Sequence, residues 1–450
     1  MKTMKEVLGN AWNYLHSSQA GSDPATVGAP SKQLLWVLLL FFYIPMAYWF
    51  GWLEQPLKLI DYPGFYFAAK LAFVDHKTPY GPYVLDVFEP VSGGRIYPYL
   101  YPPPSLLAFW PLTRLSLANG HKVFTVVSNL CLLGSIWLML TRLMPLSRDR
   151  WLREITIGLY LVYIMCFDGV AVTYWTGQVN FIILFLICLA LAAFKNGSSD
   201  WRIALPLSAA ILVKVYPVLL LAPLFFRKRF RAITLTCIFI AVFSAVSLFV
   251  LPADVWSSWL TKVVPEGGYT KMRYLSGTRW NQNINGFMIR LLIWNQYKNL
   301  PFDYQSLAKP LAMVLALAVL AATMFYSFRL ARRNYHQQSG DDEMAAFLLM
   351  IYLVAPLSWD HHLVYILPAC LPALSLLVSG SVRGKAKAAI LIALFFIAWK
   401  LPFLEFNFQG GWWTLLISLK FYGVAFLWLF FINRLRQKYA NSLSPAGILD

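Results

Sequence analysis

The chain has 450 residues, of which 59% are hydrophobic and only 13% are charged, against about 25% charged residues in an ordinary soluble domain. Apolar runs of about 20 residues, enough to cross a hydrocarbon core, recur along it, and a soluble core could not bury so many. The formal charge of +18 is divided among short clusters between these runs. We therefore attribute it to membrane topology, not to a nucleic-acid partner, and predict an all-α, polytopic bundle of membrane helices.

The apolar runs predict roughly 10–13 membrane helices in one transmembrane domain over residues 33–433. Residues 1–32 and 434–450 are expected to be cytoplasmic tails, and no cleavable signal peptide is evident at the start of the chain. Outside loops are predicted near 54–103 and 253–309. Full spans are expected near 33–53, 121–142, 153–174, 179–195, 232–252, 310–330, 343–357, 362–379, 387–403 and 412–433.

Residues 203–226 do not fit a simple span, because basic residues flank this apolar segment at both ends. Pro206, Pro217 and Pro223 interrupt it, with Lys214 near its centre. Two half-helices that meet near Lys214 would return the chain to the side it left, and such a break is tolerated where it lines a cavity or is buried in protein. A shorter piece, 104–115, is a second candidate for a partial span.

The basic clusters give a consistent topology. Placed on the cytoplasmic side, as the positive-inside rule requires, they put both termini inside. Most of the unusual polar residues then gather at the opposite face. The five cysteines all lie in apolar segments and form no CxxC pair, which favours packing roles over disulfides or zinc.

The polar residues at this face each have a structural and a functional interpretation. Asp61 could mark the membrane interface, Gln178 and Asn180 could cap helices, and the Tyr/Pro run 97–104 could be an aromatic belt with a rigid turn. Asp168 and Lys214 could form an ion pair, although ionisable groups at membrane depth usually face a cavity or a partner. Their common side favours one site for an anionic amphiphile that carries a sugar.

At these residues the sequence resembles glycosyltransferase family 87, a family of polytopic C-type glycosyltransferases. The matching features appear in family order across nearly the whole chain. They are Asp61 after the first span, Pro79-Tyr80, Tyr-Pro-Pro at 101–103, Gly-Gln-x-Asn at 177–180, Lys-x-Tyr-Pro at 214–217 and Ser-Trp-x-His-His at 358–362. The resemblance implies transfer of a mannose-like hexose or a pentose from a polyprenyl-phosphate sugar to a lipid or glycan acceptor.

The resemblance also implies a mechanism, an inverting single displacement with Asp61 as general base. The leaving phosphate needs cationic or hydrogen-bonding partners, and our candidates are His361, His362, Lys214 and Arg279. Candidates for contacts with the sugar and acceptor are Tyr80, Tyr101, Gln178, Asn180, Asn281, Trp359 and Asp168. No obligatory metal or cofactor is expected. The predicted setting is the bacterial inner (plasma) membrane, with the site facing the periplasm or cell exterior.

Two rival functions share some of these features. A transporter or flippase of a lipid-linked or anionic solute would also use intramembrane Asp168 and Lys214 and a broken helix. Against it, the sequence has no two-fold repeat of spans, and the carboxylate and aromatic residues lie in long outside loops. A ligase that moves a preassembled glycan would share the topology of the transferase.

Overall fold

The computed structural model describes residues 61–80, 99–145, 149–265, 277–292, 302–333, 340–400 and 413–443. Helices dominate these residues, and no strand occurs among them, so the prediction of an all-α helical bundle is confirmed. The N-terminal tail, the predicted first span and half of the first long loop, 54–60 and 81–98, lie outside the described residues.

Seventeen α-helices, numbered here in chain order, form this part of the protein. The first nine are α1 (Tyr62–Phe73), α2 (Leu106–Phe109), α3 (Leu117–Leu138), α4 (Arg150–Met165), α5 (Asp168–Thr176), α6 (Asn180–Lys195), α7 (Asp200–Val213), α8 (Leu221–Phe226) and α9 (Phe230–Val250). The others are α10 (Ala253–Ser258), α11 (Ile284–Leu292), α12 (Phe302–Arg332), α13 (Gly340–Val354), α14 (Leu367–Val378), α15 (Gly384–Ala398), α16 (Trp413–Ile417) and α17 (Leu419–Asn441). Short 3-10 or π segments adjoin several of them.

Four helical segments of the described residues are long and apolar enough to cross a membrane. They are Leu117–Leu143, Phe230–Val250, Leu307–Arg332 and Asp360–Val378. The pair α4 and α5, bent by 43°, is a fifth candidate. Helices α6, α13 and α15 have only 15 or 16 residues, which cover about 24 Å of a hydrocarbon core about 30 Å thick, so each is shorter than a full span.

Local sequence explains where several helices begin and end. The Ser116 hydroxyl accepts a hydrogen bond from the Asn119 N–H at the start of α3, and the Asp149 carboxylate accepts from the Trp151 N–H at the start of α4. Both are typical N-caps. Helix α5 ends at Gly177, whose φ of 69° lies in the left-handed region that favours glycine.

The predicted break at Lys214 is confirmed. Helix α7 ends at Val213, Lys214 is extended with φ −140° and ψ 130°, and a 3-10 turn, Tyr216–Leu220, follows. The broken chain packs inside the protein: α7 contacts α6 and α9, and α8 contacts α12. This leaves the Lys214 side chain buried at a point where the backbone is not helical.

One end of the bundle collects ion pairs between basic residues and acids at the start of α13. Asp342 pairs with Arg434 at 2.9 Å and with Lys438 at 2.7 Å. Both basic residues belong to α17, which therefore extends into the predicted C-terminal tail. Lys195 pairs with Asp341 and Arg227 with Glu343. Helix α6 runs from this end to Asn180, and α13 runs from it to Val354. The site described next lies at those far ends, away from these ion pairs.

Candidate active site

A cavity of about 690 Å3, here the first cavity, lies at the ends of α1, α6, α7 and α13. Its volume falls in the range of about 300–1,000 Å3 that is usual for ligand sites. Most of its lining is apolar or aromatic. Seven predicted site residues line it, namely Asp61, Tyr101, Gln178, Lys214, Trp359, His361 and His362.

Asp61 is the only carboxylate among the described residues that line the first cavity. It directly precedes α1, and its backbone N–H donates to the Thr176 carbonyl oxygen at 2.9 Å, which fixes α1 to the end of α5. Burial raises the pKa of the carboxyl from 3.8 to about 6, and a hydrogen bond from Gln178 and the positive charge of Lys214 partly offset that rise. A carboxylate with this pKa suits a general base near neutral pH.

Gln178 links Asp61 to the aromatic wall of the cavity. Its amide donates to Asp61, and its Oε1 accepts from the Tyr101 hydroxyl at 3.1 Å. Gln178 directly follows Gly177, so the left-handed turn that ends α5 places this side chain. The amide therefore orients the carboxylate instead of capping a helix.

Lys214 is buried and reaches the first cavity from the break after α7. Its Nζ donates to Asn180 Oδ1 at 2.8 Å and lies 2.8 Å from His362 Nε2. The Tyr101 and Tyr365 rings lie 5.6 and 5.8 Å from the same atom, within reach of a cation–π interaction. Among the described ion pairs none joins Lys214 to a carboxylate, and Asp168 pairs with Lys420, so the structural alternative of an Asp168–Lys214 pair is not observed.

Residues 358–362, here the wall segment, form a second side of the cavity. The His362 Nδ1 accepts a hydrogen bond from the Trp359 N–H at 3.2 Å. The His361 and His362 rings lie 4.4 Å apart and nearly perpendicular. The wall segment thus presents one indole and two imidazoles to the cavity.

Three predicted contact residues support the cavity but do not line it. The Tyr80 hydroxyl donates to the Tyr101 carbonyl oxygen at 2.6 Å. The Asn180 amide donates to the His361 carbonyl oxygen at 2.9 Å. Asn281 Oδ1 accepts from the Ser358 N–H at 3.0 Å. All three side chains hold neighbouring segments in place, and direct contact of any of them with the sugar or acceptor stays a prediction.

Two further predicted residues lie elsewhere. Asp168 and Arg279 line a separate cavity of about 450 Å3, here the second cavity, instead of joining the other predicted groups. Lys420 pairs with Asp168 and, at 3.2 Å, with Asp360. The structure thus places Asp168 and Arg279 in a different cavity from Asp61, and their roles in binding sugar or phosphate stay predictions. Asp168 lies at the start of α5, whereas Thr176, which hydrogen-bonds to Asp61, lies at the end of α5. The length of the helix therefore separates the two carboxylates.

Tyr216 and Lys420 are two of the residues at these sites that sequence reasoning missed. Tyr216 lines the first cavity, with its hydroxyl 3.4 Å from His362 Nε2. It belongs to the Lys-x-Tyr-Pro motif, so the motif already carried a signal for it. Lys420 lies far along the chain from both of its partners and inside a predicted span, where no local pattern marks a charge pair.

Metal ligation is not indicated by the described side chains, which include no group of three His, Cys, Asp or Glu residues that could hold an ion. The expectation of metal-independent chemistry stays a prediction.

The fold and the first cavity together define a multi-pass membrane protein that brings one carboxylate, one lysine and two histidines to a largely apolar site. Glycosyltransferase family 87 matches residues 99–356, more than half of the chain. The chain belongs to this family and is a glycosyltransferase. Asp61 and the wall segment lie outside the matched residues, and the fold brings them beside matched residues such as Gln178 and Lys214.

Two curated mycobacterial proteins are similar to the chain. Both are named polyprenol-phosphate-mannose-dependent alpha-(1-2)-phosphatidylinositol mannoside mannosyltransferase. The protein from Mycobacterium tuberculosis (strain ATCC 25618 / H37Rv) is 25% identical over 356 residues, which are 76% of this chain and 76% of that protein. The one from Mycolicibacterium smegmatis (strain ATCC 700084 / mc(2)155) is 25% identical over 288 residues, 62% of each chain.

Proposed function

We propose that this protein transfers mannose from a polyprenyl-phosphate donor to a hydroxyl of a glycolipid acceptor at the outer face of the membrane. One observation carries the proposal: Asp61 shares the first cavity with Lys214 and two histidines. A base for the acceptor hydroxyl and cationic partners for a leaving phosphate are the two requirements of the reaction. The names of the two similar mycobacterial proteins support mannose as the sugar.

The transfer is a single displacement. The acceptor oxygen forms a bond to the anomeric carbon while the bond from that carbon to the phosphate oxygen breaks, and the electron pair leaves with the phosphate. The hydroxyl proton goes to Asp61. The described lining of the first cavity has one carboxylate, and one base suffices for inversion by a single displacement, with no covalent intermediate.

The contact between Lys214 and His362 supports a phosphate site. Lys214 Nζ and His362 Nε2 lie 2.8 Å apart, so the two nitrogens meet at one place beside the cavity. A phosphate oxygen there would accept hydrogen bonds from the Lys214 ammonium and from the His362 ring when Nε2 carries the proton, and these bonds would stabilise the charge that develops on the leaving group.

The rim of the first cavity suits the prenyl chain. Val215, Val218 and Val264 line it and expose more than a third of their surface. In a membrane protein such an apolar opening lets a lipid tail remain in the hydrocarbon while its phosphate reaches the polar groups. The outer-face assignment rests on the ion-paired basic residues at the opposite end of the bundle and the positive-inside rule.

Transfer is tested with the purified full-length protein in lipid nanodiscs, given polyprenyl phosphate carrying radiolabelled mannose together with phosphatidylinositol mannosides. We expect label in the acceptor lipid and none when GDP-mannose replaces the donor. Movement of intact donor between the leaflets of vesicles, with no label in any acceptor, would instead favour the transporter alternative.

A further inference from the structure

The second cavity lies against the first, and the wall segment belongs to both. Trp359, His361 and His362 line the first cavity, whereas Asp360 lines the second. Trp280, from the second cavity, lies beside Trp359 with ring centroids 6.4 Å apart at 30°. A molecule that extends past Trp359 from the reacting centre would therefore meet the second cavity.

Ion pairs hold the floor of the second cavity in place. Lys420 pairs with both Asp168 and Asp360, and these three side chains are largely buried. Asp360 remains incompletely satisfied, because its Oδ1 is buried and has no hydrogen-bond partner among the described residues. Arg279 and Lys400 add two further cations to the lining.

Three tryptophans complete the second cavity. Trp175, Trp280 and Trp399 line it and are 48%, 37% and 47% exposed. Tryptophans of an interfacial belt are also exposed, but a belt does not require that they surround a cavity with carboxylates, cations and an amide. Indole faces pack against the C–H faces of sugar rings, and charged and amide groups donate to or accept from sugar hydroxyls.

We propose that the second cavity binds the part of the acceptor glycan beyond the sugar that reacts in the first cavity. The inference rests on the proposed function, because it takes the acceptor to be a glycolipid. It assigns Trp175 and Trp399 to binding of a neutral oligosaccharide, with Asp360, Lys400 and Arg279 placed for its hydroxyls. The acceptor then lies across Trp359, with its reacting hydroxyl toward Asp61.

A binding experiment tests this inference without any transfer. Free α-mannotriose is titrated into the full-length protein in nanodiscs with no donor present, and binding is followed by the quenching of tryptophan fluorescence and by calorimetry. We expect Trp399→Ala to weaken binding by about tenfold and Trp399→Phe to restore part of it. Trp201→Ala is the matched control, since Trp201 is 51% exposed and lines neither cavity.

A kinetic experiment compares acceptors that carry one and three sugars, octyl α-mannoside and octyl α-mannotrioside. We expect Trp399→Ala to reduce the ratio of their kcat/KM values, because only the longer acceptor reaches the second cavity. An unchanged ratio together with unchanged mannotriose binding would overturn the inference. Binding that depends on Trp399 in a wild-type protein that transfers mannose to neither acceptor would contradict the proposed function and leave the glycan site standing.

Discussion

The first and second cavities each hold cations and at least one carboxylate, but they use them differently. In the first, Asp61 and Lys214 are not paired with each other, and an apolar lining surrounds them. In the second, Lys420 joins Asp168 to Asp360, among tryptophans and further cations. The difference teaches that opposite charges which share a cavity without an ion pair are available for chemistry, whereas the Lys420 ion pairs fix the position of two carboxylates.

The largest effect is expected when the carboxylate of the first cavity is removed. Asp61→Asn keeps the size of the side chain but cannot accept the proton of the acceptor hydroxyl, so we expect transferase activity to fall by about 10²–10⁴-fold. The measurement is incorporation of labelled mannose into the acceptor lipid. Binding of polyprenyl phosphate should persist, since Lys214 and the histidines remain.

Asp75→Asn is the matched control for this variant. Asp75 follows α1, is exposed and lines neither cavity. The transferase activity of the Asp75→Asn variant should therefore equal that of the wild type. An Asp61→Asn protein that inserts normally and transfers mannose at the wild-type rate would show that the base is another group.

The second cavity should respond in stability before it responds in chemistry. Lys420→Met leaves Asp168 and Asp360 as neighbouring buried carboxylates without their cation, and breaking a buried pair in this way costs about 3–5 kcal/mol of the free energy of unfolding. Thermal unfolding in detergent measures the loss. Adding Asp168→Asn should recover part of it, because one charge fewer is then left unpaired.

Lys122→Met, at an exposed position of α3, controls for loss of a lysine as such. If Lys420→Met unfolded at the wild-type temperature, the ion pairs would not hold the second cavity together. The structural role that the comparison assigns to Lys420 and its two carboxylates would then be wrong.

Sequence alone predicted what local pattern and composition control. The break at Lys214 followed from three prolines and a lysine within an apolar run. The partition of polar residues between two cavities was not predictable, because it depends on the bend between α4 and α5 and on Lys420, which lies 252 positions from Asp168 in the chain. That the polar residues lie at one face of the membrane does not show whether they form one site or two adjacent sites.

The pH dependence of kcat/KM is expected to show the smallest effect. It distinguishes the charges of the first cavity from those of the second. Asp61 directly precedes α1 and lies outside the candidate spans, and burial raises its pKa to about 6. A base acts when deprotonated, so the acid limb of kcat/KM should be half-maximal near the pKa and about tenfold lower for each further unit of acidity. The Lys214 charge lowers this pKa, and Lys214→Met should therefore move the acid limb to higher pH. Lys400→Gln removes a cation from the second cavity only and should leave the midpoint in place. Equal shifts from both variants would mean that the two sets of charges act on Asp61 as one.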